Sequence, residues 1–152
     1  MANAPTHRWA AGWVTLTAAF ALHVVDEATH DFLDWYNPAV LTLREQLGWF
    51  PMPTFDQGVW LAGLIGALVI LFALTPAVAR GRRWIVPVAY IYACVHIVNG
   101  LGHLAISAST RQWIPGVLSS PFLFAAAVWL FIETGRARRL ASSASQADRP
   151  RV

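Results

Sequence analysis

An all-α membrane protein, a bundle of four transmembrane helices with a short interfacial helix between the first two, is the fold class this sequence predicts. Three observations carry it. Of 152 residues, 57% are hydrophobic and 12% charged, and the mean hydropathy is +0.48; water-soluble domains carry about twice that share of charge. Four apolar stretches, residues 9–25, 58–79, 84–106 and 117–132, meet or approach the roughly 20 residues a helix needs to cross about 30 Å of hydrocarbon. No stretch alternates with the period of two that a membrane barrel strand requires, so only helices can satisfy the backbone in lipid.

The first stretch begins at Trp9, directly after Arg8. A cleaved secretory signal, with Arg8 as its charged region, an apolar core to Leu22 and cleavage near Ala21, is the competing reading. It is disfavoured because a polar cluster follows at once and has a counterpart in the third helix. Between the first two helices lies a connection over 31–56. There Asn37 and Pro38 read as an N-cap and first helical position, Val40, Leu41, Leu43 and Leu47 give an apolar face, and Gly48 gives a stop. This short helix lies in the membrane interface, either as an anchored loop or as a cover over the bundle's mouth. The third helix holds Cys94, which cannot form an internal disulfide and reads as a small packing residue off the face of His96. The fourth stretch is the shortest. Glu133 at its end reads as a solvated terminal charge beside arginines, and His7 as an ordinary residue ahead of the first helix. Residues 1–134 thus form one transmembrane domain, followed over 135–152 by an Arg- and Ser-rich tail expected to be disordered against anionic headgroups.

Arginine sets the orientation, since the chain has no lysine. Four crossings place Arg8, the Arg80/Arg82/Arg83 cluster, Arg136, Arg138, Arg139, Arg149 and Arg151 on one side and leave Arg44 and Arg111 on the other. The arginine-rich side is expected in the cytoplasm, with both termini, in a multi-pass protein of the cell membrane. Trp9, Trp84, Trp113 and Trp129 fall toward helix ends as an interfacial aromatic belt would, while Trp13 and Trp60 fit that belt only loosely.

Two octets interrupt the apolar pattern: "HVVDEATH" at 23–30 and "HIVNGLGH" at 96–103. Positions i, i+3, i+4 and i+7 fall within an arc of about 100° on a helix, so His23, Asp26, Glu27 and His30 share one face, as do His96, Asn99, Gly100 and His103. At ~1.5 Å per residue, His23 is about 21 Å from Trp9, and His96 and His103 are about 18 and 28 Å from Trp84. Both helices run outward, both clusters lie in the non-cytoplasmic half, and their faces can meet. The echo suggests an internal repeat in which the Asp-Glu of the first copy becomes Asn-Gly in the second. Gly100 there allows close helix approach or leaves room for a ligand. Single intramembrane histidines and carboxylates often serve only as helix-to-helix hydrogen bonds, but burying this many ionisable groups at one depth costs several kcal/mol at least, which favours function.

The first octet resembles the signature of the HXXEE family of integral membrane proteins, and "NGLGH" is similar to the Asn-x-x-x-His element that accompanies it. His23 matches the leading histidine, Glu27 the final glutamate, and Asn99 and His103 the second element. Asp26 stands where a glutamate is expected, and His30 and His96 lie outside the named positions. The resemblance, covering the first helix to the fourth, implies a small helical membrane domain of unknown biochemical function, suspected of being a metal-binding enzyme.

His23 and Glu27, with His103 and His96 from the facing helix, supply nitrogen and oxygen ligands suited to zinc, iron or manganese. Asp26 and Glu27 would balance a divalent charge. Such a site could activate water, with Asp26 or His30 as general base and Asn99 as hydrogen-bond donor to a developing oxyanion. Glu27 is expected as the ligand of the carboxylate pair and Asp26 as the proton-handling member. The expected partners are membrane lipids and an apolar substrate entering from the outer leaflet, with no nucleic acid. Three alternatives stay open: a metal-free acid/base isomerase or cyclase of an isoprenoid- or sterol-like substrate, a haem protein ligated by His23 and His96, and a proton or metal conduit. The conduit is disfavoured because it needs polar residues reaching the cytoplasmic half, where there are almost none apart from Thr15 and Thr17.

Overall fold

The structure is a computed structural model that describes residues 4–147. It is all-α, with five helices: α1 (Ala4–Thr29), α2 (Phe32–Leu47), α3 (Gln57–Ala79), α4 (Ile85–Thr110) and α5 (Ser120–Ala147). Three of them are long and apolar enough to cross a membrane: α1 over His7–Thr29, α3, and α4. The fourth stretch expected to cross does not join them. Its apolar run is cut by Glu133, Arg136, Arg138 and Arg139, although α5 itself continues through 28 residues.

Local chemistry sets most of the boundaries. Asp56 caps α3, its Oδ1 accepting from Gly58 N at 2.8 Å and Val59 N at 3.4 Å. Pro121 sits in the first turn of α5, where its missing N–H leaves no bond unmade. α2 starts earlier than expected. Asp31 adopts the left-handed conformation (φ 52°) and turns the chain straight from α1 into a helix beginning at Phe32, so that Pro38 lies inside α2 and Asn37 is no cap. Instead the Asn37 amide clamps the following connection, donating to Phe55 O at 2.9 Å and accepting from Phe55 N at 3.1 Å. Gly48, at φ 70°, ends α2 as expected. Nor does α5 give way to a disordered tail at 135; it stays helical to Ala147, and the rest of that segment lies outside the described residues.

Helix α1 is the centre of the bundle, packed between α3 and α5, and α4 packs on α5. Gly100 makes the α4–α5 approach possible: a Cβ there would stand 3.1 Å from Phe124 Cβ and 3.2 Å from Ser120 O. Large side chains span the gap from α1 to α4, with Trp13 against Tyr92 at 5.1 Å and Phe20 against His96 at 4.6 Å between ring centroids. Trp9 and Trp13 are both buried in this core and are not belt residues. Trp9 Nε1 donates to Thr134 Oγ1 at 3.0 Å and Trp13 Nε1 to Leu71 O at 2.9 Å, which satisfies their one polar atom away from water. Trp84 and Trp113 are exposed and Trp129 is half-buried. Glu133 is likewise not solvated. It is buried at the end of the core, where Arg8 reaches it at 3.2 Å and Arg136 at 2.5 Å. Cys94 is exposed and is not a buried packing residue.

The outward faces are apolar. Val59, Val69 and Ile70 on α3 and Ile91, Val95 and Val98 on α4 are all exposed, a surface that suits hydrocarbon. Between lipid-facing helices, association comes from close packing and internal hydrogen bonds, since lipid tails solvate leucine as well as another helix does.

Candidate metal centre

The site is built on the last two turns of α1. His23 and Glu27, one turn apart, point into the gap toward α4 and are 1% and 5% exposed. From α4, His103 enters the same gap, 7% exposed, its ring 4.9 Å from that of His23 and nearly perpendicular to it. Glu27 Oε1 lies 3.4 Å from His23 Nε2 and 3.3 Å from His103 Nε2. Among the described residues, His23, Glu27 and His103 are the histidine, cysteine and carboxylate group whose atoms converge closely enough to hold a metal ion, all within 4.8 Å of one another. Two of its nitrogens, His23 Nε2 and His103 Nδ1, are buried without a hydrogen-bond partner. Buried polar atoms are rarely left so, and at 3.4 Å His23 Nε2 and Glu27 Oε1 can be satisfied by a proton or a cation between them.

The remaining residues of the two octets part company. Asp26 is buried but turned away from Glu27: its Oδ2 accepts from Ser119 N at 2.9 Å and Ser119 Oγ at 2.7 Å, and its Oδ1 lies 3.1 Å from His30 Nδ1. His30 falls in the turn after α1, exposed at the rim, with Nδ1 also 2.8 Å from Asp26 O. His96 is buried elsewhere. Its Nδ1–H donates to Tyr92 O at 2.9 Å, and its ring is wedged edge-on between Phe20 and Tyr92. Asn99 is half-buried, with Oδ1 unpartnered, one turn before His103.

Two contributors come from the α4–α5 connection. Ser119 joins the site by bonding both Asp26 and His23, whose Nδ1 lies 2.8 Å from Ser119 Oγ. Gly116 covers it. At φ +85° its backbone lies so near the imidazoles that a Cβ would stand 2.8 Å from His103 Cε1 and 2.9 Å from His23 Cε1. Only glycine meets both conditions. The sequence expectation absorbed Ser119 into a fourth helix starting at 117 and left Gly116 just ahead of it, although the Pro115-Gly116 pair is a turn signal. On the side toward α2, Phe32 stacks on Trp60 at 5.7 Å and lies 6.0 Å from the His103 ring, an apolar wall. Just outside it, burial pushes the Tyr36 phenol up, with Arg44 opposing, so Tyr36 remains a donor to Pro53 O at 3.1 Å.

A family model described as "Protein of unknown function with HXXEE motif" matches residues 13–130. The chain belongs to the HXXEE family. No curated protein and no solved structure matches it. In this HXXEE member the motif's first histidine and last acidic residue, His23 and Glu27, are the two that meet His103, while the middle acidic position, Asp26, faces Ser119. The HXXEE match reaches to residue 130 and so takes in Gly116 and Ser119 as well.

Proposed function

We propose that this HXXEE protein is an intramembrane metal-dependent enzyme that activates water against a lipid or other apolar substrate. In this reading α5, lying along α1 and α4, completes a fourth crossing, and both termini face the cytoplasm. One observation carries the proposal. Ligand atoms bound at about 2.0–2.1 Å around a tetrahedral ion stand roughly 3.3 Å from each other, and Glu27 Oε1 stands 3.4 and 3.3 Å from the two imidazole nitrogens. Those separations are long for hydrogen bonds to a buried carboxylate and right for sharing a cation.

A zinc, iron or manganese ion held by His23, Glu27 and His103 would supply Lewis acidity and a water of lowered pKa. Around it the chain's own residues have distinct tasks. Glu27 and Asp26 together balance a divalent charge, which makes burial tolerable. Phe32, Trp60 and the Gly116 backbone exclude bulk water. Asn99 offers an amide one turn from His103 for a polar group of the substrate, and His30 is the group at the rim able to exchange protons with water.

A metal-free acid/base enzyme is the second reading, favoured by the position of one carboxylate oxygen between two imidazoles, where protons can pass. Haem ligation is less well supported, because Phe20 and Tyr92 already pack against His96 at 4.6 and 4.7 Å. Elemental analysis of detergent-purified protein separates the first two. The expected result is one transition-metal ion per chain, mostly lost in His23→Ala and His103→Ala. Folded wild-type protein that stays metal-free under zinc, iron and manganese supplementation overturns the metal reading.

A further inference from the structure

Ser119 Oγ carries one hydrogen and has three polar neighbours: Asp26 Oδ2 at 2.7 Å, Gly116 O at 3.1 Å and His23 Nδ1 at 2.8 Å. The carbonyl oxygen can only accept. Asp26 Oδ2 already accepts the backbone N–H of Ser119 at 2.9 Å, so it too is an acceptor. If the hydroxyl gave its hydrogen to His23, Oγ and Oδ2 would face each other at 2.7 Å with no proton between them, which is repulsive. The hydrogen therefore goes to Asp26, and the Oγ lone pair is left to receive Nδ1–H of His23. All three residues are buried, so water does not compete for these bonds.

We propose that Ser119 and Asp26 are a positioning pair that holds His23 in its Nδ1–H tautomer and so presents the Nε2 lone pair to the centre shared with Glu27 and His103. The use made of that lone pair rests on the metal reading above; the tautomer is a property of the chain alone. His23 Nε2 is buried and makes no hydrogen bond, with Glu27 Oε1 3.4 Å away, so with the proton held on Nδ1 its lone pair is turned toward the place an ion would share with Glu27. His103 has no such support. Its Nδ1 is buried and unpartnered beside Gly116 and its Nε2 stands 3.3 Å from Glu27 Oε1, so no hydroxyl or carbonyl holds a proton on Nδ1 before an ion arrives. His23 is thus the preorganised ligand and His103 the adaptable one.

The test uses full-length protein in detergent, labelled with ¹⁵N-histidine and stripped of metal by chelator. Two-bond ¹H–¹⁵N correlation spectra, with the His23 signals assigned by their loss in His23→Gln, report the tautomer directly. Wild-type His23 is expected as Nδ1–H, and Ser119→Ala is expected to lose that preference and to bind zinc about 10- to 100-fold more weakly in a competition titration. His23 carrying its proton on Nε2 in the wild type overturns the inference even if Ser119→Ala cannot be folded. Unchanged zinc affinity in folded Ser119→Ala overturns it too. An Nδ1–H tautomer that collapses in Ser119→Ala, in a wild type that binds no zinc, upholds the pair and sinks the metal reading instead.

Discussion

Glu27 and Asp26 are neighbours in sequence and opposites in placement, and their variants should separate. Glu27→Gln removes the one charged donor that touches both imidazoles, so metal content should fall to near background. Asp26→Asn keeps an oxygen able to accept from Ser119, so affinity should drop by no more than about tenfold; elemental analysis of both proteins after identical loading checks the order. Equal collapse in both would make the pair a joint ligand. Gly116→Ala is expected to be worse than its size suggests. The left-handed backbone alone costs an alanine roughly 1–2 kcal/mol, and its methyl would also meet ring atoms of His103 and His23 at 2.8 to 2.9 Å. Thermal unfolding should show a lower midpoint and zinc titration a weaker site. Helical spacing made His23, Glu27 and His103 legible in the sequence, because residues one turn apart on apolar helices must share a face. It could not separate His96 from His103, since seven residues leave a helix rotation of about 20° that only packing resolves. Ser119 was illegible for another reason: it has no periodic signature, and its partner Asp26 is far away in the chain.

Among the elements, α4 and α5 depend on their closest contact. Gly100→Ala places a methyl 3.1 Å from Phe124 Cβ and should cost about 1–3 kcal/mol by overpacking. Gly102→Ala, whose Cβ meets nothing within 4 Å, should leave stability unchanged or slightly raised by helix propensity. Denaturant unfolding of the pair in one detergent makes each the control of the other. Three helices were readable from apolar length alone, and their bounds needed only small extension. The start of α2 was not readable, because Asn37-Pro38 is a sound helix opening and the left-handed Asp31 that supersedes it carries no such mark. The continuation of α5 past Gly135 was hidden in the same way: a Ser-, Ala- and Arg-rich composition serves a helix as readily as a disordered tail.

Over the whole molecule, the arginine distribution makes a prediction about sidedness. Thr42→Cys on α2 should react with a membrane-impermeant maleimide added to intact cells, and Ser143→Cys on α5 should react only after lysis. Both residues are exposed in the structure, so burial does not confuse the readout. The inverse labelling pattern would place the His23 centre in the cytoplasmic half. Composition was enough to recognise a chain made for hydrocarbon; how α1 comes to be flanked by α3 and α5 was not in the composition, because it depends on which large side chains fill the gap to α4. The route of the chain through the centre has a consequence for its biosynthesis. His23 and Glu27 are translated by residue 27, His103 by residue 103, and the covering glycine and bracing serine only at 116 and 119. At translation rates of about 5–20 residues per second, the half-built centre persists on the ribosome for on the order of ten seconds. During that time the two carboxylates of α1 are already committed to a segment bound for lipid. Membrane insertion of α1 must therefore tolerate, or wait out, a charge that Ser119, in the connection ahead of the last helix, helps to settle.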